Sequence, residues 1–242
     1  MEKMRGAMKE PAEDVCFEQL EKNTVQAKNQ LEESAIVHFD NPAGSGKRIL
    51  FMGNSITLHG VSEKIGWYHA WGMAASDKDK DYVHILMREI RKLDPDAAFC
   101  ICQVSEWETS YKEGSTKYRL YENARRFQAD IIVMRFIENC PGSDFDAALF
   151  KKELAGLLAY VDPQHRAAII LTTGFWRHPG DAAIAEYGRE NHLPVVVLGD
   201  LGEDDRMKAI GLFEHTGVAN HPGDLGMQKI AERILDELRK AL

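Results

Sequence analysis

Several things are missing from this chain, and each absence narrows what it can be. No apolar run approaches the roughly 18 residues that would suggest a membrane span, so no membrane partner is expected. The start, Met1-Glu2-Lys3-Met4-Arg5, leads into charged residues with no apolar core behind it. That predicts no signal peptide and a cytoplasmic location. Basic residues are not in excess, and the net charge is −8. A phosphate backbone is bound by a basic surface, so nucleic acid is not expected as a partner. Cysteine is scarce, with four in the chain. None of the four has zinc-ligand spacing, and no metal or cofactor is implied. Cys100 and Cys102 lie two apart on a probable strand, facing one side, and read as small buried hydrophobes. With Cys16 and Cys140 they make no disulfide framework. No repeat or low-complexity tract is present.

What remains is an ordinary globular composition, 44% hydrophobic and 28% charged over 242 residues, long enough for one large domain. Residues 1 to about 33 are rich in Glu, Lys and Gln. Their sparse apolar positions (Val15, Phe17, Leu20, Val25 and Leu31) predict a frayed start and one or two surface helices. Ala35 to Phe39 has the character of a short strand. Asp40 to Lys47 is a turn-rich linker. Its Gly44-Ser45-Gly46-Lys47 lacks the spacing of a phosphate-binding loop and precedes a strand where such a loop follows one. The division is an arm over 1–47 and a domain over 48–242.

From Arg48 onward, buried strands alternate with helices. Ile49 to Met52 is a short apolar run that stops at Gly53. Ala97 to Val104, Asp130 to Phe136, Ala167 to Thr173 and Pro194 to Leu198 repeat the pattern. Helical periodicity covers 81–93, 117–128, 144–161, 182–191 and 223–241, with Asp81 at an N-cap. A long connection over 58–80 carries Trp67, Tyr68 and Trp71, which suit either a pocket lining or the packing of a cover. The alternation predicts a three-layer α/β/α fold around a doubly wound five-stranded parallel sheet of flavodoxin-like type. In such a sheet the strand ends gather on one edge, where ligands bind.

Ser55 stands at that edge, two residues after Gly53. Glu106, Asn139 and Trp176 follow later strands and converge there in the predicted fold. A serine nucleophile needs a base. His221 begins the last helix, with Pro222 at the first helical position and Asp224 in the first turn. His215, in the preceding loop, is the competing candidate.

Taken in order, Gly53-Asn54-Ser55-Ile56-Thr57, Glu138-Asn139 and His221-Pro222 with Gly226 resemble the blocks of the SGNH (GDSL-type) hydrolases over roughly residues 48–240. Gly72-Met73-Ala74-Ala75-Ser76 and Asp81-Tyr82-Val83-His84 resemble a bacterial subgroup of that family. Asn54 stands for the Asp of G-D-S; Ile137 and Cys140 stand for the Gly and Asp of G-x-N-D. Ser105-Glu106 lies where a glycine is usual, and Val218 lies where the acid three residues before the histidine is usual. The lost glycine matters less, because it serves through a backbone N–H.

The resemblance implies a serine esterase acting on a small acyl ester, acetyl on a carbohydrate above all. Ser55 and His221 are the expected catalytic residues. Ser55, Glu106 and Asn139 are the expected oxyanion hole, the first two through backbone N–H groups. Asn54, Trp71, Glu138, Trp176 and Arg177 are expected at the substrate. A backbone carbonyl near residue 218 is expected to orient the imidazole, with Glu214 as second choice, and an aspartate at 218 is expected to raise activity. The rival readings are a binding protein without chemistry on the same fold, and an acyltransferase or thioesterase using the same serine and histidine.

Overall fold

Every residue of the strand Arg48–Gly53 is buried, and its side chains are packed on both faces. That is what a short apolar run without alternation does in the middle of a covered parallel sheet. The computed structural model describes residues 31–242. The helices expected near the start, and Cys16, lie outside the described residues.

Among the described residues six strands form one sheet: β1 (Val37–Asp40), β2 (Arg48–Gly53), β3 (Ala98–Gln103), β4 (Ile131–Arg135), β5 (Ala168–Thr172) and β6 (Val195–Val196). Their order is β1-β3-β2-β4-β5-β6. The five expected strands run parallel. The short strand anticipated near residue 37 pairs antiparallel with β3 at the edge and makes the sheet mixed. β6 is shorter than its apolar run. After Val196 the Leu198 N–H goes to the Thr173 hydroxyl at 2.8 Å instead of continuing the ladder.

The described residues hold seven α-helices: α1 (Tyr82–Arg91), α2 (Ser105–Ser110), α3 (Glu122–Phe127), α4 (Ala147–Val161), α5 (Asp181–Glu190), α6 (Thr216–Ala219) and α7 (Asp224–Ala241). On one face α1 and α7 bury Val83, Leu86, Ile90, Met227, Ile230 and Ile234 against Ile49, Phe51, Ile131 and Val133. On the other, α2 to α5 bury Trp107, Phe127, Leu154 and Ile184 against Leu50, Met52, Ile132 and Met134. Each such side chain contributes about 1.5–3 kcal/mol of burial. Cys100 and Cys102 are buried free thiols.

The helix expected over 117–128 is α-helical only from Glu122. Tyr111–Tyr121 is 3₁₀ in character and is broken at Gly114, which has φ 72°. Tyr118 and Tyr121 are both buried, and a three-residue turn sets positions i and i+3 on one side. The Tyr118 hydroxyl then meets Glu153 at 2.9 Å, and the Tyr121 hydroxyl accepts the Trp107 N–H at 3.1 Å.

The register positions the site. Gly53 lies opposite Gln103 on one side and Arg135 on the other, so β2, β3 and β4 end level. The chain winds from β2 to β3 in one direction, then passes back to β4 on the other side. That reversal opens a crevice at the carboxyl ends of the strands.

Candidate active site

β2 ends at Gly53 because the turn there has no room for a side chain. A Cβ at that position would run into the Thr57 side chain and the Arg135 carbonyl. Asn54 then makes the turn. Its Oδ1 accepts the Ile56 N–H at 3.2 Å, and its carbonyl accepts the N–H groups of Thr57 and Leu58 at 2.9 and 3.0 Å. An asparagine side chain imitates a backbone turn in this way. Ser55 is carried above the strand end. Its own carbonyl accepts the Met73 N–H at 2.8 Å, which ties the 58–80 connection to it.

His221 arrives from the far end of the chain, between α6 and α7. Its Nε2 lies 2.8 Å from Ser55 Oγ. Its Nδ1 lies 2.7 Å from the Gly217 carbonyl oxygen. A carbonyl only accepts, so Nδ1 carries the proton and the Nε2 lone pair faces the serine. Burial pushes the imidazole pKa down to about 4, and the charges of Arg135, His59 and His215 add to the depression. The ring is therefore neutral at ordinary pH, the state a general base needs. His215, the competing candidate, caps α6 instead, with its ring accepting the Val218 N–H. Trp176 meets the His221 ring edge-on, with centroids 5.3 Å apart.

Beneath Ser55 lies a buried polar network that the sequence reading missed. Arg135, at the end of β4, is wholly buried. It donates to Asn54 Oδ1 at 2.6 Å and pairs with Glu138. Glu138 also accepts from Asn54 Nδ2 at 2.6 Å and from the Phe175 N–H at 2.7 Å. Glu108, on α2, accepts from Asn54, from the Ile137 N–H and from Asn139 Nδ2. The available signal was Arg135 itself: an arginine closing an Ile-Ile-Val-Met run is either at the surface or paired.

The residues expected at the site fall into two groups. A cavity of about 460 Å³ is lined by Ser55, His59, Ile65, Met73, Gln103, Ser105, Asn139, His215, Gly217, Val218 and His221. Ser55, Asn139 and His221 are thus brought together. Glu106 follows Ser105 in the first turn of α2, but its side chain turns outward to Lys117 at 2.7 Å. Asn54 and Glu138, expected at the substrate, face inward and are committed to the network. Trp71 stacks on His69 with centroids 4.0 Å apart and donates to the Ala75 carbonyl, so it packs the covering loop. Arg177 is exposed and paired with Glu203, away from the cavity lining. Trp176 touches His221 and does not line the cavity. A larger cavity of about 690 Å³, with Gly44, Arg48, Arg125 and Arg166 on its walls, opens at the amino ends of the strands, remote from Ser55.

No family model matches the sequence, and no curated protein matches it. Solved structures do. A two-domain esterase (CEX) active on acetylated mannans is 18% identical, with a TM-score of 0.52 over 93% of this chain and 54% of its own. The chain thus spans about half the length of that protein. A lipase/acylhydrolase from Enterococcus faecalis is 15% identical, with a TM-score of 0.53 over 80% of this chain and 96% of its own. The acetyl xylan esterase AlAXEase is 14% identical, with a TM-score of 0.51 over 79% and 99%. The α/β fold implied by the three sequence blocks is the fold observed, and this chain shares it with these three solved structures.

Proposed function

We propose that this protein is an SGNH-type serine esterase that removes a small acyl group, acetyl foremost, from a carbohydrate ester. The observation that carries the reading is the Ser55–His221 pair at 2.8 Å with the far ring nitrogen bonded to a carbonyl. Ser55 Oγ attacks the ester carbonyl carbon while His221 Nε2 takes its proton. The resulting oxyanion is held by the backbone N–H groups of Ser55 and Glu106 and by Asn139 Nδ2. Glu106 is in the first turn of α2, where N–H groups have no intrahelical acceptor. Collapse returns the His221 proton to the departing alcohol and leaves an acyl-enzyme. Water, deprotonated by the same imidazole, then releases the carboxylic acid. The carbohydrate ester is supported by the activity on acetylated mannans of one similar structure and by the name of another, an acetyl xylan esterase.

The test is turnover of p-nitrophenyl acetate and of acetylated mannan or xylan oligosaccharides, with a fluorophosphonate probe in parallel. Wild type is expected to turn over and to label on Ser55, and Ser55→Ala and His221→Ala are expected to do neither at a comparable rate. Labelling at another residue, or no turnover by folded wild type, overturns the reading.

A further inference from the structure

Glu108 is wholly buried and reaches the cavity lining through Asn139. Its Oε2 accepts from Asn139 Nδ2 at 2.7 Å. Its Oε1 accepts from the Ile137 N–H at 2.6 Å, from Asn54 Nδ2 at 3.1 Å and, more loosely, from the Asn139 N–H at 3.5 Å. Every bond uses Glu108 as an acceptor. An ionised carboxylate has no proton to give, so only the nitrogen of the Asn139 amide can face it. That nitrogen has two hydrogens. One is taken by Glu108, and the other remains on the cavity side, where the Ser105 hydroxyl lies 3.5 Å away.

We propose that Glu108 is the positioning residue of the oxyanion hole, and that it works only as a carboxylate. Ionised, it holds the Asn139 amide with an N–H toward the tetrahedral oxygen. Protonated, it carries an O–H that is best met by the amide oxygen. The amide then turns over and presents oxygen where the reaction needs a donor. The inference rests on the esterase reading above and adds to it a built-in pH dependence.

The groups around Glu108 set where that change falls. Glu138 faces it from the end of β4, Tyr121 from the 3₁₀ segment and Cys140 from the turn after Asn139. Arg135 gives its guanidinium hydrogen bonds to Asn54 and Glu138 and none to Glu108. Burial, with the Glu138 carboxylate beside it, pushes the Glu108 pKa up to about 7. The imidazole of His221 is pushed the other way, to about 4. The two groups are therefore separable on the acid side of a pH–rate profile.

The experiment is kcat and KM for p-nitrophenyl acetate between pH 4 and 9 in wild type, Asn139→Ala and Glu108→Gln. In wild type kcat/KM is expected to rise with a midpoint near 7, carried by kcat with KM steady, as for an interaction made only in the transition state. Asn139→Ala is expected to lose about 10²–10³ in kcat, the usual effect of removing one oxyanion donor. It is also expected to lose the inflection near 7, keeping only the fall toward 4. Glu108→Gln has one oxygen for two sets of donors and is expected to show the same loss and the same missing inflection. Should Glu108→Gln fail to fold, the wild-type and Asn139→Ala profiles decide the matter between them. An inflection near 7 that survives in Asn139→Ala, or a wild-type profile falling only near 4, overturns the role of Glu108 and leaves the esterase standing. Absence of turnover at every pH in folded wild type overturns both.

Discussion

The Nδ1 atom of His221 lies 2.7 Å from the carbonyl oxygen of Gly217, and among the described residues no carboxylate is hydrogen-bonded to that ring. The carbonyl fixes the tautomer but carries no charge, so it stabilises an imidazolium less than a carboxylate does. Three carboxylates on this stretch of chain are engaged elsewhere or turned out. Asp200 grips Arg233 at 2.6 and 2.7 Å, Asp224 holds Ser76 and Lys80, and Glu214 is exposed.

Asp200→Asn, Glu214→Gln and Asp224→Asn are therefore each expected to keep most of the esterase turnover. A loss near 10⁴ in any one, the size for removing a true triad acid, would show that the chain has an acid after all. The expectation that an aspartate at 218 raises activity is corrected by the fold. Val218 is 1% exposed and packs among Trp67, Met73, Ala74 and Ala209. A carboxylate there would displace those apolar contacts and be desolvated, so Val218→Asp is expected to melt well below wild type.

Trp176 covers the His221 ring, and burial is the largest cause of the depressed imidazole pKa. Trp176→Ala is expected to admit water and move the His221 titration up from about 4 toward the ordinary histidine range, as followed by imidazole NMR. An unmoved titration would remove Trp176 from the desolvation. The sign for stability follows from the same shift. The unfolded chain takes up the His221 proton near pH 6.5 and the folded chain only near 4. Stability from this group is present above 6.5 and lost as pH falls through that window. Trp176→Ala is expected to narrow the window.

Ile137 is buried and has φ 110°, a conformation that a β-branched residue adopts only under strain. It precedes Glu138 and Asn139, and Glu108 holds its N–H. Truncation to alanine removes apolar contacts, at a cost of about 2–5 kcal/mol, and keeps the strain. Truncation to glycine removes slightly more side chain and releases about 1–3 kcal/mol of strain. Urea denaturation is expected to find Ile137→Gly at least as stable as Ile137→Ala, the reverse of the usual order. A glycine variant weaker by about 1 kcal/mol, the ordinary difference, would show that the turn is relaxed.

By itself the sequence determined most of the elements and pointed to the two side chains proposed to react. Apolar runs without alternation marked β2 to β6, helical periodicity marked α1, α4, α5 and α7, and Gly53 and Pro222 placed Ser55 and His221 at a strand end and a helix start. These features are local, and burial of a residue with its neighbours is written in their spacing. The tertiary structure alone decided the rest. Asn54 and Glu138 look like site residues in the sequence, yet they meet each other and Arg135 across 84 and 81 residues of chain, below the cavity. Glu108 reaches Asn139 only because β2, β3 and β4 end level. The sequence placed the group that orients His221 at a backbone oxygen near residue 218; every residue carries one, and only the path of the chain from α6 to α7 brings the ring to the one at Gly217. Contacts of that kind depend on strand register and loop path, and neither leaves a period in the sequence.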